Sequence, residues 1–433
     1  MHKKVYRYII IKLLYAFMLS LSYSSSLAQG FDTEQNPLSV KWRQINIMGF
    51  KIIYPSELEK DAQRMGNTLS KIYPIVGNGL NQQKTTIPIV LQNRGTLANG
   101  FVRLAPKMSQ FYTTPPQQFD SQDWLNNLAV HELRHVAQFD KLTGGKAYPF
   151  PEEIYFAYLG ITVPTWFFEG DAVSTETSLT KAGRGKQPSW IMPFRTSLLN
   201  EKKFSYSKAY FGSSKDQTPG YYQLGYLLTS QLRKEFGRNI IDSLLENIRT
   251  RPSWFFPFSR SLKKITGKNT NQWYRYAEDE FKLQWQKQDQ ANVSETYAPL
   301  NKEANFATNY FLPTAIEKNQ ILALKQSKAS PPTFVIIDST KREVNLFSIA
   351  YQEQPWFSFA QNKIVWDEIR FDPRYKQRSY SVICSYNFTT NKKTQLTFKT
   401  RLFSPSLSAD GKKIIAVQIK LNNEVNMVEL DAQ

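Results

Sequence analysis

HELRHVAQFD, residues 131–140, decides how the rest of the chain is read. Two histidines stand four apart, with a glutamate directly after the first. The sequence holds three histidines, and the other, His2, lies in a basic and apolar leader. The rest of the chain therefore carries both of its histidines in one pentapeptide. On a helix, positions four apart lie one turn apart on the same face. The flanking sequence SQDWLNNLAVHELRHVAQFDKLTGG (121–145) supplies such a helix. Ser121 or Asp120 can cap its first turn and Gly144-Gly145 can stop its last. Between them Trp124, Leu128, His131, His135, Gln138 and Leu142 recur at steps of three or four. Two imidazoles so placed can reach one tetrahedral Zn2+, and Glu132 projects to the side where a polarised water would lie. A carboxylate there can take the proton of that water and later pass it to a leaving amine. The competing reading is a charged helix face with two incidental histidines.

A catalytic zinc needs a third protein ligand. In VPTWFFEGDAVSTET (163–177) Pro164 suits a helix start, which puts Glu169 one turn inside. Here the sequence resembles the gluzincins, zinc peptidases whose third ligand is a glutamate on a following helix. The form Glu169-Gly170-Asp171-Ala172 matches the E-G-x-A of the aminopeptidase-like and peptidase-MA-like branches. Gly220-Tyr221-Tyr222-Gln223-Leu224-Gly225 resembles the Tyr-x-x-Gly segment of that family. The match is specific in the first two motifs and extends loosely over residues 42–285. It implies a thermolysin-like α+β domain with His131, His135 and Glu169 as metal ligands and Glu132 as general base. It also implies a tyrosine that donates to the oxyanion; Tyr222 matches best and Tyr221 second. Asn99-Gly100-Phe101-Val102 occupies the place of the edge strand to which substrate backbone is added. The glutamate-bearing loop that grips a free amino terminus in aminopeptidases is not there, which tilts the expectation towards internal cleavage. Thermolysin-like members place an aspartate four residues after the ligand glutamate to orient a histidine. Position 173 is valine, so that support must come from elsewhere, and Gln138 is a candidate.

The first 28 residues have the layout of a secretory signal peptide. Lys3, Lys4, Arg7 and Lys12 precede or enter an apolar run, and Ser26-Leu27-Ala28 offers small residues at the cleavage positions. The alternative is an uncleaved anchor, but Lys12 interrupts the apolar run needed to span a bilayer. Removing four cations takes the net charge from +19 to +15. Such an excess favours an anionic envelope surface, or is only a solvated exterior, because the lysines and arginines are scattered. Export argues against nucleic acid as a partner. The one cysteine, Cys384, excludes an internal disulfide, and none follows the leader to carry a lipid. The expected location is periplasmic or extracellular, and the chain is not read as a lipoprotein.

Three sections follow the leader: an α/β part (29–120), a helical zinc-binding part (121–295) and an all-β part (300–433). In the first, FKIIYP, IPIVLQN, NGFVRLAP and QFYTT read as strands, and ELEKDAQRMGNTLSKIYPIV reads as an amphipathic helix. In the last, NQILAL, NKIVWD and KKIIAV repeat with isoleucines at 321, 364 and 414, each followed by a second strand signal. A period near 45 residues is that of a β-propeller blade. SPSLSADGKKIIAV resembles the repeats of TolB-like and WD-repeat propellers. Three units predict an open arc, completed by another chain or by sequence beyond the reading frame; the alternative is a small β-sandwich. Residues 31–290 hold every catalytic motif and are expected to fold without the arc. Two functions remain. One is an exported zinc peptidase acting on a peptide or protein. The other is an inactive peptidase-fold scaffold whose propeller docks a partner at the envelope.

Overall fold

The computed structural model describes residues 35–47, 49–80, 87–104, 107–117, 122–143, 158–160, 162–250, 255–291, 297–317 and 319–432. The leader read at 1–28 lies outside the described residues, as do Asp120, Ser121 and Gly144-Gly145. No helix among the described residues is long and apolar enough to cross a membrane.

The chain is mixed α+β, followed by all-β sheets. Five strands build the first sheet: β1 (Trp42–Ile47), β2 (Phe50–Pro55), β3 (Ile87–Gln92), β4 (Gly100–Leu104) and β5 (Lys107–Tyr112). Their order is β1-β2-β3-β5-β4. The strand β1 was not foreseen, because WRQINI is largely exposed at an edge and has no clean apolar alternation. The parallel pair β2 and β3 is joined by helix α1 (Glu59–Val76), the crossover that a parallel pair requires. At the opposite edge, β4 pairs antiparallel with β5 and with no other strand among the described residues.

Helix α2 (Trp124–Thr143) carries HELRH and lies between two cores. Leu125, Leu128, Ala129, Leu133 and Val136 pack with Ile52, Ile89, Leu91 and Phe111 of the sheet. Ala137 and Leu142 instead join Trp166, Phe167, Leu224, Leu228 and Trp273 of the helical half. With apolar partners on both sides, the polar residues of α2 are buried as well and need partners of their own. Its first turn is capped by Asp123, whose Oδ1 accepts the Asn126 N–H at 2.9 Å.

The helical half runs through α3 (Thr165–Leu179), α4 (Pro188–Leu199), α5 (Tyr206–Phe211), α6 (Gly220–Phe236), α7 (Ile240–Thr250), α8 (Pro257–Thr266) and α9 (Thr270–Gln290). The helices α3 and α6 touch through their backbones at Gly170 and Gly225. A Cβ on Gly170 would lie 2.1 Å from the Gly225 carbonyl carbon, and one on Gly225 would lie 2.1 Å from the Trp166 oxygen. Each glycine is therefore needed to bring the helix of Glu169 against the helix of Tyr222.

Beyond residue 300 the chain forms three antiparallel sheets. The first holds β6 (Thr308–Glu317), β7 (Gln320–Ser327), β8 (Ser330–Asp338) and β9 (Glu343–Ser348). The second holds β10 (Ser358–Ala360), β11 (Lys363–Phe371), β12 (Ser379–Asn387) and β13 (Lys392–Gln395). The third holds β14 (Leu402–Leu407), β15 (Lys413–Ile419) and β16 (Val425–Asp431). The repeated isoleucines Ile321, Ile364 and Ile414 fall on the second strand of each sheet. The middle sheet is apolar on both faces, as a sheet stacked on both sides must be. Ile364, Trp366, Val382 and Cys384 meet Leu322, Leu324 and Phe334 of the first sheet. Val365 and Ile383 meet Leu402, Ile414 and Ala416 of the third. Three stacked sheets replace the two of a sandwich, and among the described residues no strand pairs the third sheet with the first.

The arc is joined to the first sheet by buried polar contacts. Arg401 donates to the Gly95 carbonyl and to Thr114 Oγ1, both at 2.8 Å, and burial with Arg94 nearby lowers its pKa to about 10. Thr96 and Ser379 share a hydroxyl contact of 2.7 Å. Asn423 donates to Asp61 Oδ2 at 2.7 Å. The contacts to Gly95 and Thr96 hold the loop that leads into β4, and the bond to Asp61 reaches α1.

One acid in the arc sets a pH dependence. Asp367 is buried; its Oδ1 accepts the Ser404 N–H at 3.3 Å, whereas Oδ2 has no partner. Burial pushes its carboxyl up to about 7. The folded chain keeps this proton while the unfolded chain gives it up near the ordinary aspartate value of about 4. Stability from this group is therefore fully present below that value and is lost as pH rises to about 7, on the order of 2–4 kcal/mol. Asp367→Asn should remove that fall, read as the change in urea midpoint between pH 4 and pH 8. A midpoint difference equal to that of the wild type would refute the assignment.

Candidate metal centre

His131 and His135 leave α2 one turn apart, and Glu169 reaches them from the first turns of α3. The two Nε2 atoms are 3.2 Å apart. Glu169 Oε2 lies 3.2 Å from the first and 3.3 Å from the second. In tetrahedral zinc sites with bonds of about 2.0–2.1 Å, ligand atoms are separated by about 3.3–3.4 Å. The triangle therefore has the size of one face of such a site, and these three residues form the His/Cys/Asp/Glu cluster able to hold an ion among the described residues. Beside it, Glu132 Oε2 is buried with no hydrogen-bond partner. A Cβ on Gly100 would come within 3.0 Å of Glu132 Oε1 and 2.5 Å of Leu128 Cδ1, so the glycine lets β4 close over the Glu132 carboxylate. The donor set fits a divalent ion of the zinc type.

Both histidines are oriented through Nδ1. His131 Nδ1–H donates to Glu176 Oε2 at 2.9 Å, and His135 Nδ1–H donates to Gln138 Oε1 at 2.9 Å. These tautomers leave each Nε2 free for a metal. The Gln138 amide is itself fixed, because its Nε2 donates to Phe168 O at 3.0 Å and to Asp171 Oδ2 at 2.6 Å. Val173 is buried in the core and takes no part in the site. Glu176, two turns beyond Glu169 on the same face of α3, was missed by sequence reasoning although a seven-residue spacing could have found it. Arg184 was missed too. It clamps Glu176 through Nε to Oε1 at 2.7 Å and Nη2 to Oε2 at 2.9 Å. Its Nη2 also lies 2.9 Å from His131 Nδ1, a contact but no hydrogen bond while that nitrogen carries its proton.

Burial disfavours charge on every one of these groups, so the partners decide. The imidazoles outweigh burial at Glu169 and hold its carboxyl well below the carboxylate range. Arg184 does the same for Glu176, down to about 2. At His131 burial is outweighed by hydrogen bonds to Glu169 and Glu176, which hold it up to about 9 without metal. A metal must then displace that proton. Burial raises Glu132, with the nearby imidazoles acting against it. Tyr222 is raised by burial and by the Glu169 charge, which keeps its phenol protonated.

Tyr222, in the first turn of α6, stands with its ring 6.4 Å from that of His131 and under the Arg184 guanidinium at 5.0 Å. Tyr221 packs against it with its ring tilted, centroids 4.7 Å apart, but is 40% exposed. The cluster lies between two cavities that share Asn99, Gly100, His131, Glu132 and Tyr222. The larger, about 370 Å³, is lined by Phe101, Val102, Phe139 and Phe168. The smaller, about 240 Å³, carries the polar side chains of Asn127, Glu176, Arg184, Gln187 and Glu353 beside Trp124 and Leu128. The last comes from the β-arc, so the cleft is not built from residues 31–290 alone.

No family model matches the chain, and no curated protein matches it. Among solved structures, about a quarter of the chain is similar to parts of several, two of them TolB proteins. One is the putative TolB from Agrobacterium tumefaciens, with 14% identity over 26% of this chain and 39% of that one, TM-score 0.21. The other is TolB from Acinetobacter baumannii, with 17% identity over 26% of this chain and 38% of that one, TM-score 0.16. The similar segment thus spans less than half the length of either TolB chain.

Proposed function

We propose that the chain is a gluzincin-type zinc metallopeptidase that cleaves peptide bonds internally, with Glu132 as general base. The observation that carries this reading is the triangle of His131 Nε2, His135 Nε2 and Glu169 Oε2 beside the orphaned oxygen of Glu132. Zinc, when bound, would polarise the scissile carbonyl and acidify a water. Glu132 takes the proton of that water on its free oxygen and returns it to the leaving nitrogen. The Tyr222 phenol, kept protonated, donates to the carbonyl oxygen as it gains charge. Gln138 and Glu176 hold the imidazoles in the binding tautomer. The open edge of β4 accepts the substrate backbone as an added strand. The leader supports action outside the cytoplasm, in the periplasm or beyond.

The purified full chain should contain one zinc and degrade an unfolded protein such as reduced casein. A chelator should abolish cleavage and added zinc should restore it. Cleavage indifferent to chelator would sink the mechanism. Stoichiometric zinc without any turnover would return the chain to the scaffold reading.

A further inference from the structure

Glu353 lies in the loop between β9 and β10, on the arc, yet it lines the smaller cavity together with His131, Glu132, Arg184 and Tyr222. It is a half-buried carboxylate. The Ala98 N–H bonds to it, while its Oε2 is buried and has no hydrogen-bond partner. No cation pairs with it among the described residues. Arg184, the cation of the same cavity, is committed to both oxygens of Glu176. Lone pairs withdrawn from water and left unused are costly. Ala98 stands just before β4, so Glu353 is held at the entrance of the strand on which the substrate would lie.

We infer that Glu353 turns its side of the cleft into a subsite for a cationic group of the substrate, the arc thereby setting specificity for the catalytic half. The inference rests on the peptidase reading for the identity of the ligand as a peptide. A cationic nitrogen entering this cavity comes against Glu353 and gives the carboxylate the counter-charge it lacks. Burial pushes the Glu353 carboxyl up to about 7, as expected of an acid short of such a partner. A structural role as acceptor for Ala98 alone would use one oxygen and need no charge. Two sources of the cation share this chemistry: a lysine or arginine side chain, and a free amino terminus. The cavity on the other side of His131 and His135 is lined by Phe101, Phe139 and Phe168, and its carboxylates are Glu132 and Glu169, the second of them held between the two imidazoles.

The test uses full-length protein carrying Glu132→Gln, so that bound peptide is not consumed, with and without Glu353→Gln. The probes are fluorescent heptapeptides of alanine and leucine with one central lysine or its neutral counterpart norleucine, each with a free or an acetylated amino terminus. With Glu353 present, a cationic peptide should bind at least ~10-fold tighter than its neutral partner. Glu353→Gln should reduce that preference to below about 3-fold while binding of the neutral peptide and zinc content stay the same. Glu353→Asp should restore part of it. A preference confined to the lysine pair identifies a side chain, and one confined to the free-terminus pair identifies the amino end. The inference is overturned if no preference exists, or if it survives in Glu353→Gln. Failure of the peptidase reading shows separately, as absence of zinc-dependent casein cleavage by the wild type.

Discussion

Glu132→Gln should leave one zinc per chain and lower peptide hydrolysis at least ~10²-fold, the lower end of general acid–base assistance. Glutamine keeps the shape and size of the side chain, and no hydrogen bond within the protein holds the Oε2 oxygen that it replaces. The fold and the three metal-facing atoms should therefore be untouched. What is lost is the group that can accept a proton beside the ion. Tyr222→Phe is the companion measurement. It should lower kcat by ~10²–10³ with KM little changed, because the phenol gains its bond only as charge develops on the carbonyl oxygen. Tyr221→Phe, at the exposed side of the ring pair, should stay near wild type. Loss of zinc in Glu132→Gln would make the residue a ligand rather than the base. A rate loss in Tyr221→Phe and none in Tyr222→Phe would exchange the two tyrosines.

Much of this centre was legible in the sequence because histidine is so scarce. With both remaining imidazoles in one pentapeptide, the helix spacing alone places them on a shared face. The resemblance then pointed to Glu169, and the structure brings these three together. Gln138 was legible as a possible support, since it sits three residues after His135 on the same helix. Glu176 and Arg184 were not seen. The seven-residue spacing could place Glu176 on the face of Glu169, but its contact with His131 depends on how α3 meets α2, and Arg184 comes from a turn after α3 that no local pattern marks. Glu353 was further out of reach, because a loop of the arc carries it to the cleft through contacts such as Arg401 to Gly95. The same distinction runs through the fold. Strands with alternating burial such as β2 and β3 announce themselves, and the repeated isoleucines mark the second strand of each sheet in the arc. The exposed edge strand β1 has no such alternation, so its pairing with β2 decides its conformation. Gly170 and Gly225 could be read only as motif letters until their backbones were found in contact.

Asp171→Asn should cost about 3–5 kcal/mol of stability, the cost of breaking a buried ion pair by removing one partner. Asp171 is fully buried between helices and accepts from Arg134 Nε at 2.6 Å and Nη2 at 3.1 Å, from Gln138 Nε2 at 2.6 Å, and from Arg233. Arg134 is buried too and also donates to the Val76 and Asn78 carbonyls at the end of α1, at 2.8 and 3.3 Å. One carboxylate thus ties α1, α2, α3 and α6 together, and removing its charge leaves two guanidinium groups with half a partner. Against a total stability of about 5–15 kcal/mol for a typical domain, that loss is large. The two guanidinium groups outweigh burial and hold the Asp171 carboxyl down to about 2. Its contribution is therefore fully present above the ordinary aspartate value of about 4 and is lost as pH falls towards 2. The variant should show a lower urea midpoint at pH 7 and a smaller further loss between pH 4 and pH 2 than the wild type. The same change reaches the metal. Gln138 donates to Asp171 and accepts from His135, so a slack Gln138 no longer fixes that imidazole, and zinc affinity should fall about 10–100-fold. Weaker zinc binding in protein still folded at pH 7 separates this relay from general unfolding. Unchanged affinity in a destabilised variant would leave Asp171 as a tie between helices with no hand in the metal site.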